Sequence, residues 1–231
     1  DGGKSFGQER ALKAMFRSDR DFNFYDFRFD QDGGAFLLTK NRNIFYSRTD
    51  RSFERLNEPI QINDEEGASA HSAKFLQSVG NKVSAVWVDR RLGFELVFFS
   101  NSADGGKTWS PNKAVDYDFR EGKQGRPILV AGAKGRLLLF WQDWRDRKTL
   151  SDIRFSFSDN QGKTWAPSKK INDDEQEVWQ TAPAVVSKGS QIYVVFADFR
   201  EKGGEDDNEW NIYFTSSIDN GDSWEKNKRL N

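Results

Sequence analysis

Three triplets in the chain set a carboxylate and a guanidinium two residues apart: Asp89-Arg90-Arg91, Asp143-Trp144-Arg145 and Asp198-Phe199-Arg200. On an extended backbone, side chains at i and i+2 point the same way, so each Asp can meet its Arg. Two chemistries follow. In one, each pair is an architectural ion pair, repeated because the unit that carries it is repeated. In the other, Arg91, Arg145 and Arg200 ring an opening and receive an anionic or polyhydroxyl ligand, with Asp89, Asp143 and Asp198 orienting them, because planar guanidinium forks bind carboxylates bidentately. Arg126, in Gln124-Gly125-Arg126-Pro127, joins this candidate ligand-binding set, and Trp144, Trp179 and Trp210 are candidate platforms for a sugar ring.

Much other chemistry is excluded. The chain has no cysteine, which removes thiol nucleophiles, disulfides, zinc thiolates and iron–sulfur clusters. A single histidine, His71, leaves no multi-histidine metal site and reads better as a loop or strand-start residue than as a general base. Any catalysis must rest on Asp, Glu, Tyr, Lys or Arg. The acidic stretches Asn63-Asp64-Glu65-Glu66, Asn172-Asp173-Asp174-Glu175 and Asp206-Asp207-Asn208-Glu209 offer oxygen ligands for calcium, but without ordered spacing or a turn glycine they read as solvated loops. No cofactor and no metal site is expected.

The elements that hold these residues follow from the rest of the chain. Its 231 residues are 36% hydrophobic and 31% charged, with a mean hydropathy of −0.82. Such a polar composition leans toward disorder, but 20 Phe, 8 Trp and 5 Tyr imply an aromatic core. The net charge of −1 gives no global field for nucleic acid, and there is no apolar run of the ~18 residues that span a bilayer.

One turn recurs. Ser102-Ala103-Asp104-Gly105-Gly106-Lys107-Thr108-Trp109 is followed by Ser158-Asp159-Asn160-Gln161-Gly162-Lys163-Thr164-Trp165 and by Ser217-Ile218-Asp219-Asn220-Gly221-Asp222-Ser223-Trp224, the tryptophans 56 and 59 residues apart. Asp1-Gly2-Gly3-Lys4-Ser5-Phe6 and Ser47-Arg48-Thr49-Asp50-Arg51-Ser52-Phe53 are weaker copies. The acid or amide at Asp104, Asn160 and Asp219 accepts hydrogen bonds from free N–H groups of the turn, Gly106, Gly162 and Gly221 supply tolerance of positive φ, and the tryptophan packs the turn onto its blade. Asn160 carries no charge, so these turns are structural and not metal-binding.

Before each strong copy lies an alternating run, such as Phe94-Glu95-Leu96-Val97-Phe98-Phe99, and before that a more continuously apolar one, such as Leu137-Leu138-Leu139-Phe140-Trp141. A short apolar opening and a polar close complete four strands per unit, the mark of a propeller blade. The fold class is all-β, a β-propeller of four-stranded antiparallel blades. Residues 1–231 divide into 1–15, the last strand of an incomplete blade, and successive blades 16–63, 64–118, 119–173 and 174–231.

The repeated turn resembles the Asp box, or BNR repeat, of the sialidase superfamily, across essentially the whole chain. That resemblance implies a β-propeller whose boxes lie on the face opposite the ligand. It also implies three arginines that clamp a substrate carboxylate, a Tyr nucleophile paired with a Glu, and an Asp acid/base. The chain departs from the pattern: there is no Arg-Ile-Pro, Arg126-Pro127 matches it only in part, and none of Tyr25, Tyr46, Tyr117, Tyr193 or Tyr213 is assigned as nucleophile.

The function expected is a sialidase-like Asp-box propeller binding a glycan, a small anion or a protein through an Arg-rich face, secreted, periplasmic or at the cell surface. The alternatives are a retaining exo-glycosidase of the sialidase type, with its early catalytic residues upstream, and a structural interaction scaffold. The opening box tail with one strand leads to the expectation of about 45 or more further residues upstream, in a ring of five or six blades.

Overall fold

A computed structural model describes residues 23–30, 33–50, 52, 56–65, 71–77, 81–116, 122–146, 148–201 and 210–231. The first box tail, the expected strand in 1–15, Phe53, Tyr117 and the acidic run at 206–209 lie outside them.

Among the described residues, sixteen strands form four sheets. The first holds β1 (Asn23–Asp30), β2 (Gly33–Lys40), β3 (Asn43–Arg48) and β4 (Ile60–Gln61); the second β5 (His71–Gln77), β6 (Val83–Asp89), β7 (Leu96–Ser102) and β8 (Lys113–Ala114). The third holds β9 (Gln124–Ala131), β10 (Leu137–Asp143), β11 (Asp152–Ser158) and β12 (Lys169–Lys170); the fourth β13 (Gln180–Lys188), β14 (Gln191–Asp198), β15 (Asn211–Ser217) and β16 (Lys228–Arg229). Each sheet is a sequential antiparallel meander. The first strands β1, β5, β9 and β13 touch in that order, as the inner strands of successive blades do. The all-β propeller architecture expected from the repeat is the one found.

The core lies between blades. Ala35, Leu37, Ile44 and Tyr46 of the first sheet meet Val83, Ala85 and Trp87 of the second. Val86, Val97 and Phe99 then meet Leu137, Leu139 and Trp141, and Leu138, Phe140, Ile153 and Phe155 meet Ile192, Val194 and Phe196. Strands β6 and β10 are buried at every residue because they are covered on both faces, which explains their more continuously apolar sequence.

The box turns lock one blade to the one before it. In the first strong copy, Ser102 Oγ accepts the Gly106 N–H at 2.8 Å and donates to Asp104 Oδ1 at 2.7 Å, while Asp104 takes the Thr108 N–H at 2.9 Å and its hydroxyl at 2.7 Å. Asn160 takes the Thr164 N–H in the same way and donates its amide to the Thr164 hydroxyl. The box tryptophans pack on clusters that span their own blade and the one before it. Trp109 meets Tyr46 edge-on at 5.4 Å, Trp165 meets Phe99 at 5.3 Å and Trp224 meets Phe155 at 5.2 Å, each ring belonging to the third strand of the preceding blade. The same rings fill the space beside the box glycines: a Cβ on Gly106, Gly162 or Gly221 would lie 2.0, 2.0 or 2.5 Å from them. With φ of 78–91°, these glycines are required both for the turn and for the close approach.

Candidate functional site

In an antiparallel meander the box turns share one end of the blades with the first-to-second strand turns. The second-to-third turns and the interblade links occupy the other end. A cavity of about 450 Å³ opens at that second end, at the starts of the inner strands. His71 and Ser72 of β5, Gly125 and Arg126 of β9 and Thr181 of β13 contribute from three successive blades, with Trp144, Trp179 and Trp210 around them and Glu95 from the turn before β7.

The inner strands arrive with a shared distortion. Ser72, Arg126 and Ala182 have φ of 52°, 52° and 50°, and each falls where its strand slips register against its neighbour. None is glycine, so each position carries backbone strain of roughly 1 kcal/mol or more. A bulge bends a strand end and re-aims its side chains, and its recurrence in three blades around one cavity marks a built feature.

Glu95 is the cavity's buried carboxylate, 8% exposed. Its Oε1 accepts Arg90 Nε at 2.9 Å and lies 3.5 Å from His71 Nε2; its Oε2 lies 3.4 Å from Lys123 Nζ and, among the described residues, receives no hydrogen bond. Burial pulls its pKa upward, but the hydrogen bond from Arg90 and the charge of Lys123 outweigh burial and hold it below the usual carboxylate range. The group is therefore an ionised acceptor. Lys123 also sits over the Trp144 ring at 5.2 Å, and Gly125 leaves room for that indole, since a Cβ there would come within 3.2 Å of it. Trp179 and Trp210 are exposed, with Trp210 leaning on Phe199 at 5.4 Å.

Of the sequence candidates, Arg126, Trp144, Trp179 and Trp210 line this cavity. The Arg126 side chain is exposed, and no carboxylate among the described residues pairs with it. Arg91, Arg145 and Arg200 do not line it. Their side chains are only 8–12% exposed and each is spent on its own aspartate: Arg91 on Asp89, Arg145 on Asp143 and Arg200 on Asp198, through Nε and Nη2 at 2.6–3.1 Å. Trp87 and Trp141 donate their indole N–H groups to Asp89 and Asp143, completing the shell around two of these buried carboxylates.

Each arginine then reaches a second acid in the interblade link: Asp64 for Arg91, Asp116 for Arg145 and Asp173 for Arg200. The Asp64 N–H donates to Asn112 Oδ1 at 2.8 Å and the Asn112 N–H to Asp64 Oδ2 at 3.0 Å, and Asp173 and Asn227 exchange the same backbone-to-side-chain bonds at 2.9 Å. Of the two chemistries open to these three Asp-x-Arg pairs, this geometry fits the architectural ion pair. Bidentate geometry commits their donors to joining the blades, and the acidic loops at Asp64 and Asp173, together with Asp116, supply the second partners.

Two other groups are architectural. A second concavity of about 540 Å³ lies on the box side, but its Arg136 is held by Asp159 and Asp222, each at 2.7 Å, above the Phe157 ring. Tyr213 donates its hydroxyl to Glu201 at 2.7 Å, and burial together with that bond pushes the phenol up to about 12, the opposite of an activated nucleophile.

Glu95 and the bulges escape the sequence reading. Glu95 stands inside an alternating run as one more outward residue, while the bulges leave one trace, the prolines Pro127 and Pro183 inside first strands.

No protein-family model matches the chain, and no curated protein sequence does. Solved structures do. An α-L-arabinanase of Penicillium chrysogenum, solved with arabinobiose, aligns with a TM-score of 0.65 and 16% identity over 90% of this chain and 66% of that one. An α-L-arabinofuranosidase of Fusarium graminearum, solved with an iminosugar inhibitor, aligns at 0.63 and 14% over 85% of this chain, which spans 62% of its length. The NanB sialidase of Streptococcus pneumoniae aligns at 0.60 and 12% over 94% of this chain and 53% of its own. At these identities the likeness is one of fold.

Proposed function

We propose that the chain is a carbohydrate-binding propeller whose ligand enters the cavity between Glu95, Arg126 and the three tryptophans. The observation that carries this reading is Glu95, a buried, ionised carboxylate at a cavity walled by Trp144, Trp179 and Trp210, whose Oε2 is faced by Lys123 Nζ at 3.4 Å and takes no close hydrogen bond among the described residues. A sugar supplies what each wall lacks: a hydroxyl for the carboxylate and an apolar C–H face for an indole. Arg126, without a carboxylate partner among the described residues, adds a cation that favours a ligand bearing a carboxylate or other anionic group. The glycosidase activities of the proteins that share the fold support a glycan over a protein partner. Such a cavity suits a secreted, periplasmic or cell-surface site. Among the described residues no helix is long and apolar enough to cross a membrane.

Glycoside hydrolysis is the second reading. A retaining enzyme sets two carboxyl groups about 5–5.5 Å apart, one of them an ionised nucleophile. Glu95 has that ionisation and that exposure to the cavity. The described lining supplies a single carboxylate, so binding is the reading favoured.

A glycan array probed with the 231-residue chain, followed by calorimetric titration of the best neutral and acidic oligosaccharides, tests the proposal. Saturable binding that weakens at least tenfold in Trp179→Ala and Glu95→Gln is expected. Failure to bind any glycan, or equal binding by both variants, overturns it. Release of a chromogenic arabinoside or sialoside, abolished by Glu95→Gln, would move the reading to hydrolysis.

A further inference from the structure

A further concavity, of about 510 Å³, opens beside Trp179 and is lined by Leu150, Gln176, Glu177 and Val178. A parallel bridge pairs Ser151 with Trp179, so Leu150 and Val178, one residue earlier on each segment, stand side by side. The link between the third and fourth blades is fixed from both sides here. The Ser151 N–H donates to the Val178 carbonyl at 3.4 Å, the Gln180 N–H to that of Ser151 at 3.1 Å, and the Phe199 N–H to that of Trp179 at 3.1 Å. On an extended segment successive side chains point to opposite sides. Val178 is accordingly buried, at 2% exposure, while the Trp179 indole stands out at 48% as a ridge. Trp144 carries Lys123 over its ring and Trp210 leans on Phe199, but no ring or cation of the described residues lies against Trp179.

We infer that the concavity at Leu150 is a second sugar site, continuous with the first over Trp179, and that the ligand is a linear oligosaccharide lying across this ridge rather than a single terminal sugar. The inference rests on the carbohydrate reading of the first cavity. Both volumes are those of small-ligand sites, and a rigid indole between them gives an apolar platform where one sugar leaves the first site and the next enters the second. The second site divides its labour as the first does. Leu150, 37% exposed, supplies an apolar wall, and Gln176 and Glu177, both exposed, supply an amide and a carboxylate for hydroxyl groups. Gln176 is fixed through its carbonyl, which accepts the Val178 N–H at 3.0 Å. The sign of the charge differs from that at Arg126. Glu175 is taken by Lys170 at 3.2 Å, whereas Glu177 has no cation partner among the described residues. A sugar acid would be repelled there, so the unit over Leu150 is neutral, and a chain with an acid on every unit does not fit.

The test titrates the 231-residue chain calorimetrically with one- to five-unit lengths of the neutral glycan that binds best on the array, and with oligogalacturonates of the same lengths. Affinity for the neutral series should rise about tenfold or more with length and level off once both sites are filled, while the acidic series shows no such rise. Leu150→Trp, which fills the second site, should flatten the rise and leave the shortest ligand's affinity unchanged. Glu177→Lys should make affinity for the oligogalacturonates rise with length. Equal affinity at every length, or a rise that survives Leu150→Trp, overturns the inference and leaves the reading of the first cavity standing. Failure of every glycan on the array to bind removes that reading, and the inference with it.

Discussion

The indole of Trp141 donates its N–H to Asp143 Oδ2 at 2.7 Å, and the same oxygen takes Arg145 Nη2 at 2.6 Å, so one buried carboxylate is satisfied jointly by its own strand and by the turn that follows. Asp143 is 1% exposed. Arg145→Ala would leave its charge uncompensated and should cost roughly 3–5 kcal/mol in chemical denaturation. Lysine at 145 should recover little of this, because it cannot reproduce the paired contacts through Nε and Nη2. A loss below about 1 kcal/mol would return Arg145 to the list of ligand candidates.

Asp219 serves its box alone. Its carboxylate takes the Ser223 N–H at 2.9 Å, the Ser223 hydroxyl and the Ser217 hydroxyl, all on the face away from the cavity. Asp219→Ala should lower stability by about 1 kcal/mol and leave glycan affinity unchanged. Reduced affinity at an unchanged melting temperature would mean that the two ends of the propeller have been assigned the wrong roles.

The same bonds set a pH dependence. Hydrogen bonds from Ser223 and Ser217 lower Asp219 from 3.8 to about 2. The folded pKa lies below the unfolded one, so the contribution is complete above about pH 4 and is lost as pH falls toward 2. Denaturation series between pH 2 and 5 should show a shallower acid slope for Asp219→Asn than for the parent. Asn160 shows that the amide still closes the turn, through the Thr164 N–H at 2.9 Å. Identical slopes would show that this carboxylate is not a source of the acid sensitivity.

What could be read from the sequence was what is local. The box is turn chemistry within eight residues, and a two-residue alternation fixes strands without knowledge of their neighbours. The partners of the box tryptophans were not legible, because Trp224 and Phe155 belong to different blades and nothing near either residue names the other. Arg200 illustrates the same limit. Asp198 was visible two residues away, but Asp173, whose contact makes the pair a joint between blades, comes from the link before the blade. Glu95 became a site residue only when three inner strands converged on it.

Arg126 separates the cost of the cavity from its use. Its φ of 52° is a conformation that glycine adopts freely and arginine does not, and its exposed guanidinium has no carboxylate partner among the described residues to repay the strain. Arg126→Gly should therefore stabilise the fold by about 0.5–1 kcal/mol, less whatever the added freedom of the unfolded chain takes back. Arg126→Ala keeps the strain and should leave stability within about 0.5 kcal/mol of the parent. Both should weaken binding of an acidic oligosaccharide about tenfold or more while sparing a neutral one of the same length, since both lose the same charged contact. Calorimetric titration of the two ligands against parent and variants, beside melting curves, reads the two effects separately. If Arg126→Gly proved both less stable and equally good at binding, the strained arginine would be a feature of the strand end and not of the site.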